Sequence, residues 1–237
     1  NTITIGDGVS DANVNVTGSL IGGNKSAEGN VLHIQSKGAQ AGGLQNFDRI
    51  TFHLGSNIGD GDTVLTLNAD TALTYNTIER PTGTNVADWL GNTMEKNVHL
   101  FRMAAGKTLT LSGYHPATGS ERTGDVEYSL VTDNNTDTTT GGSLDLTAYK
   151  WQNADVEISG ALTNVFGGKT VYGTTGETKN NKLTLKTGAV VTNAIAGDTQ
   201  TDSGTAEENT LTVKDGSAVH AYGAKTKAGK ATKNVAY

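Results

Sequence analysis

Asn181-Lys182-Leu183-Thr184-Leu185 and Asn209-Thr210-Leu211-Thr212-Val213 decide how this chain is read. Both run Asn-x-apolar-x-apolar and lie about 28 residues apart, a period that belongs to repeat architectures. Two further copies, Asn1-Thr2-Ile3-Thr4-Ile5 and Asn30-Val31-Leu32-His33-Ile34, are separated by about 29 residues. Within each copy the apolar residues alternate with Thr, Lys or His. That period of two argues for strands with one buried and one solvated face. Strands this short gain support only when stacked coil upon coil at the ~4.8 Å strand spacing. The expected fold class is therefore all-β, a parallel β-solenoid with loop insertions.

The rest of the cassette agrees. A Gly turn follows each strand, as in Gly6-Asp7-Gly8, Lys186-Thr187-Gly188 and Lys214-Asp215-Gly216. A small-to-apolar segment then closes on a Gly box, Leu20-Ile21-Gly22-Gly23, Val165-Phe166-Gly167-Gly168, Ala194-Ile195-Ala196-Gly197 or Ala221-Tyr222-Gly223. Polar arms of variable length lead to the next Asn, and such insertions loop out of a stack without disturbing it. Two jobs are open to the leading Asn. Its amide can hydrogen-bond up a column of identical amides, or the residue can simply occupy the left-handed backbone of a sharp corner.

Between the two cassette regions the strand rhythm persists. Phe47–Leu54, Thr63–Leu67, Lys107–Leu111, Ser143–Leu146 and Asp155–Ile158 all alternate. Two stretches break it and are expected as irregular insertions. The first, 79–103, holds Trp89, Met94 and Phe101 and one helical turn around Val86–Leu90. The second, 133–142, is a polar low-complexity loop.

Composition fits a narrow interior. The 237 residues include 31 Gly, two Pro and no Cys, with 35% apolar residues. Collagen is excluded by the scarcity of proline, and disulfides, thiolate metal sites and cysteine nucleophiles by the missing cysteine. The net charge of −6 and a pI near 5.3, without an aromatic-interleaved basic stripe, argue against nucleic acid as a partner. Lys225, Lys227, Lys230 and Lys233 gather near the C-terminus and read as a solvated turn.

The search for chemistry finds no nucleophile elbow, zinc helix or phosphate loop. His33, His53, His99, His115 and His220 are scattered, with His33 at an outward position of its cassette. Three acidic pairs are candidate carboxylate dyads of a polysaccharide-acting solenoid, Asp60/Asp62, Asp125/Glu127 and Asp155/Glu157, with Arg122 as the one nearby basic partner. Surface solubilisation is the preferred reading of all three. Gly59-Asp60-Gly61-Asp62 is similar to calcium-binding turns, but a single copy reads as a turn. Trp89, Met94 and Phe101 are expected to pack on the solenoid rather than form a binding surface. No catalytic, metal or cofactor residue is assigned, no cofactor is expected, and the ligand-binding residues stay open.

Residues 209–223 (Asn-Thr-Leu-Thr-Val…Gly-Ser-Ala-Val…Ala-Tyr-Gly) and 181–197 resemble passenger repeats of large bacterial autotransporters of the haemagglutinin- and adhesin-like kind. Phe47–Leu67, ending Gly61-Asp62-Thr63-Val64-Leu65-Thr66-Leu67, resembles a unit found between such arrays. The resemblance covers roughly residues 1–67 and 160–237. It implies a right-handed parallel β-helix exported by type V secretion and displayed at the cell surface or released outside the cell. Its only membrane association would run through a C-terminal barrel outside these residues. The chain starts at the head of one cassette and stops inside another. It is therefore expected to be a single solenoid fragment, 1–237, of a longer passenger. The implied role is a non-enzymatic adhesin or structural module that presents a stiff β-helix to a host or bacterial surface protein or glycan. The alternatives are a polysaccharide lyase or glycosidase, or a plain spacer stalk. The motif is architectural and carries no functional residue across.

Overall fold

The computed structural model describes residues 1–24, 29–73, 77–111, 120–133, 141–171 and 176–237, the side chains at 77 and 111 excepted. Most of the loop expected at 133–142 therefore lies outside the described residues, as does His115. The described chain is nearly all β, and its parallel sheets form β-solenoid turns, about eight in all. It divides into two compact units. One comprises Asn1–Gly91, Lys96–Thr118 and Leu130–Thr147, and the other Asn92–Glu95, Gly119–Ser129 and Ala148–Tyr237.

In the first unit the cassettes stack as their alternation requires. Thr2–Ile5, Val31–Ile34, Arg49–Phe52 and Thr77–Glu79 pair in parallel, aligning Ile3, Leu32, Ile50 and Ile78 in one column and Ile5, Ile34 and Phe52 in the next. From Ile5 onward these side chains are buried, with Leu32, Ile34 and Ile50 fully so. Full burial of an aliphatic side chain contributes about 1.5–3 kcal/mol, so each column is a continuous source of stability. A second sheet runs through Asn15–Ile21, Ala39–Gln45, Thr63–Leu67 and Glu95–Met103. It sets Ala39 and Ala41 against Leu65 and Leu67, and these against Phe101 and Met103. Phe52 meets Phe101 edge to face across the interior, at 5.2 Å between ring centres. A short third pairing joins Thr71–Leu73 to Leu109–Leu111.

The segment 79–103 is therefore mostly regular. Gly83–Leu90 is a helix, and Glu95–Met103 is a full strand in parallel register with Thr63–Leu67. Trp89 and Phe101 are buried, as the packing expectation required.

The second unit repeats the pattern with three sheets around one interior. Asp155–Ile158, Lys182–Leu185, Thr210–Val213 and Val235–Ala236 align Val156, Leu183, Leu211 and Ala236. Ala161–Thr170, Val190–Thr199 and Ser217–Tyr222 form the second sheet, and Glu177–Lys179, Thr205–Glu207 and Lys230–Thr232 the third. Leu183, Leu185, Leu211, Val165, Val191, Ala194 and Ala196 make the apolar core. An antiparallel hairpin, Glu121–Thr123 against residues 126–128, belongs to the same unit.

The leading asparagines hold the corners between coils. The Asn181 amide donates to Asn209 Oδ1 at 2.8 Å, and that of Asn209 to Asn234 Oδ1 at 2.9 Å. Each Oδ1 also accepts the backbone N–H of the preceding asparagine in the column. Each Nδ2 further reaches a carbonyl three residues before the previous ladder position: Trp151, Thr178 or Ala206. Ala154 occupies the column in the coil before and contributes only its N–H, to Asn181 Oδ1. In the first unit Asn1 donates to Asn30 Oδ1 at 2.9 Å, and Asn30 N–H donates to a carboxylate, Asp48 Oδ2, at 2.7 Å. At the Asn and Ala154 positions the left-handed backbone belongs to the residue before, with Gly29, Asn153, Asn180, Glu208 and Lys233 all at positive φ; before Asp48 it falls two residues earlier, at Asn46. The ladder is thus the function of the leading Asn, and the corner is turned one residue earlier.

Candidate binding cleft

The helix Gly83–Leu90 is where the first unit departs most from its cassette. Thr82 caps its start, its hydroxyl accepting from Asn85 N–H, and Gly91 ends it with φ of 58° and an N–H bonded to the Ala87 carbonyl. Val86, Trp89 and Leu90 form its buried face. Two side chains pin it to the loop that follows Arg49–Phe52. The Asn85 amide accepts from Leu54 N–H at 2.8 Å and donates to the Leu54 carbonyl at 3.1 Å, so one side chain completes both backbone groups of a residue. The Trp89 indole donates to the Ile58 carbonyl at 2.8 Å. Lys96 then caps the end of the helix, donating to the Trp89 carbonyl with its ammonium 5.2 Å from the centre of a Trp89 ring.

A cleft of about 560 Å³ lies between this helix, the 53–58 loop and the first Gly turn, lined among others by Asp7, Gln35, His53, Leu54, Ile58 and Trp89. Leu54 and Ile58 are buried beneath it. Asp7 Oδ1 accepts from Val9 and Ser10, and the N–H groups of Ser10 and Val9 hold its carboxyl below the usual carboxylate range. His53 and Asp88 stand exposed on its walls.

The acidic pairs singled out from the sequence take different roles in the fold. Asp60 accepts the Asn97 N–H, while Asp62 accepts the Gly59 N–H and pairs with Lys37 at 2.9 Å. Burial pushes the Asp62 carboxyl up, but Lys37 and the Gly59 N–H outweigh it and hold it below its ordinary value. Asp125 is engaged by Gln152 and Asn153. Asp155 and Glu157 are exposed on an outer strand face, with Glu157 paired to Lys186. Surface solubilisation describes these last two.

It does not describe Glu127, which is fully buried. Its carboxylate accepts from Ser120 at 2.6 Å, Arg122 at 2.7 Å, Tyr149 at 2.8 Å and Thr170 at 3.0 Å. Arg122 in turn lies 4.0 Å above the Trp151 ring. A buried carboxylate this fully partnered is a structural tie, since its desolvation is offset by charge-assisted bonds. No local pattern announces it, because Thr170 lies 43 positions away.

Among the histidines, His33 contacts Thr51 at 2.7 Å in the outward column, and His220 stacks on Tyr222. His99 meets Asp145 at 2.6 Å, and Ser143 donates to the same carboxylate. The carboxylate stands between hydroxyl and imidazole, so the imidazole cannot take the serine proton as a nucleophile's base must. Among the described residues no three His, Asp or Glu side chains gather as metal ligands, and no helix is long and apolar enough to cross a membrane.

A second cavity, about 400 Å³, lies in the second unit beside Asp198, Gln200, Lys225 and Lys227. Asp198 is almost fully buried, in register between Lys169 and Lys225. Burial pushes its carboxyl up, with Gln200, Lys225 and Lys169 opposing.

Comparison with known proteins finds no matching family model, curated protein or solved structure.

Proposed function

We propose that this chain is a surface-displayed β-solenoid module that works by attachment, presenting a scaffold and a binding cleft rather than catalysing a reaction. One observation carries the reading. The carboxylates that could serve a polysaccharide lyase or glycosidase are largely engaged: Asp62, Asp125 and Glu127 are spent on structural bonds, Asp155 and Glu157 share an exposed strand face with Glu157 paired to Lys186, and of the two that line the cleft Asp7 accepts from the Val9 and Ser10 N–H groups. Glycosidases need their two carboxyl groups about 5–10 Å apart across a shared opening. Display at a cell surface rests on the likeness of residues 181–197 and 209–223 to autotransporter passenger repeats.

The test is an array of glycans and matrix proteins probed with the chain, with reducing ends and unsaturated products assayed in parallel. The expected result is retention on at least one arrayed ligand with no product released. Turnover of a polysaccharide would establish the enzyme reading instead, and no retention on any ligand would leave a spacer.

A further inference from the structure

We propose that the cleft under the helix Gly83–Leu90 is a binding site for an uncharged, hydroxyl-rich ligand, a sugar unit of a glycan; this rests on the attachment reading above. Its volume of about 560 Å³ falls within the ~300–1,000 Å³ typical of small-molecule sites. Its chemistry is mixed in the way a sugar requires. Leu54, Ile58 and Trp89 give an apolar floor for C–H faces, while the carboxylates of Asp7 and Asp88 and the imidazole of His53 supply acceptors and a donor for hydroxyl groups.

The walls are held before any ligand arrives. Asn85 fixes both backbone groups of Leu54, the Trp89 indole fixes Ile58, and Lys96 fixes the end of the helix. A pre-formed site avoids the cost of ordering loops on binding. The side chains of His53 and Asp88, by contrast, are exposed and make no hydrogen bond to another described residue, so their bonding capacity is unspent.

Charge narrows the class further. An acidic ligand would face two carboxylates, and the one ammonium on the cleft, Lys96, is already engaged by the Trp89 carbonyl and ring. A wholly apolar ligand would strip water from Asp7 and Asp88 without replacing it, which is costly for charged groups.

The test compares the unaltered chain with the His53→Ala/Asp88→Asn double variant on immobilised neutral oligosaccharides, sulfated and uronate-containing oligosaccharides, and matrix proteins. Asp202→Asn, which removes an exposed ion pair in the other unit, is the control. Both altered cleft residues are exposed, so the thermal midpoint should not move. The proposal expects a neutral oligosaccharide to be bound and its affinity to fall at least tenfold in the double variant alone. Equal binding by the double variant would overturn the cleft while leaving attachment intact. Binding confined to acidic glycans or proteins would overturn the ligand class. Silence on every ligand would overturn both proposals together.

Discussion

Asn181 and Asn209 show how one residue type can hold a repeat together. Each is fully buried, and each amide joins three coils by bonding to the next asparagine, the previous carbonyl and a neighbouring N–H. Replacing Asn181 with Ala orphans the Ala154 N–H and leaves the Trp151 carbonyl with only the Lys179 N–H. It should cost about 1–3 kcal/mol in denaturant unfolding, the cost of a buried polar group left unpaired. Asn193 makes an outwardly similar amide contact with Asn164 at 2.7 Å, but on an exposed face. Asn193→Ala should stay within about 0.5 kcal/mol. Equal losses would mean that the ladder is not what makes the cassette asparagine matter. This column was half-legible in the sequence. The Asn positions stood out, whereas Asp48 and Ala154 went unnoticed, although Asp48-Arg49-Ile50-Thr51-Phe52 and Ala154-Asp155-Val156-Glu157-Ile158 keep the same alternation. Glu127 and Arg122 were visible as a candidate and its basic neighbour, but the burial of Glu127 was illegible because Tyr149 and Thr170 reach it from 22 and 43 positions away.

At the scale of the element, the Gly box acquires a reason that periodicity alone did not supply. A Cβ on Gly168 would run into the Asn181 amide, and one on Gly197 into that of Asn209. The box and the ladder are two halves of one contact, with the glycine of one strand leaving room for the amide that leads the next. Gly168→Ala should therefore lower stability by about 2 kcal/mol, as overpacking in a closed site does. Gly18, also within a strand, has nothing within 4 Å of its Cβ position. Gly18→Ala should be neutral or slightly favourable, and thermal melts of the two variants make the comparison. The helix Gly83–Leu90 was partly readable from its apolar spacing. The strand Glu95–Met103 was missed because Leu100 and Phe101 are adjacent and both buried, which breaks a clean period of two.

At the scale of the molecule, in-register stacking brings strand residues beside counterparts about 18–38 positions away, so charges must alternate between coils or repel. They do alternate in the second unit. Lys186 sits by Glu157, Lys227 by Asp202, and Glu207 between Lys179 and Lys233. These pairs are largely exposed, so each adds little stability; like charges at the same positions would penalise that register. Of the lysines near the C-terminus expected as a solvated turn, Lys227 and Lys233 sit at bends and pair with acidic residues one coil back, whereas Lys225 and Lys230 lie in paired strands. The fold class was legible because a parallel solenoid writes its core as short alternating cassettes. The division into two compact units was not, since no linker composition marks it.

Residue-resolved amide hydrogen exchange tests the stacked-cassette account most directly. Lys182 N–H is bonded to the Ala154 carbonyl, Thr210 N–H to that of Asn181, and Val235 N–H to that of Asn209. Stacked coils should therefore make residues 182–185 and 210–213 among the slowest to exchange, with the arm at 201–204 and the turn at 187–188 fast. Cassette amides that exchange as quickly as the arms would contradict the stacked ladder on which the account rests.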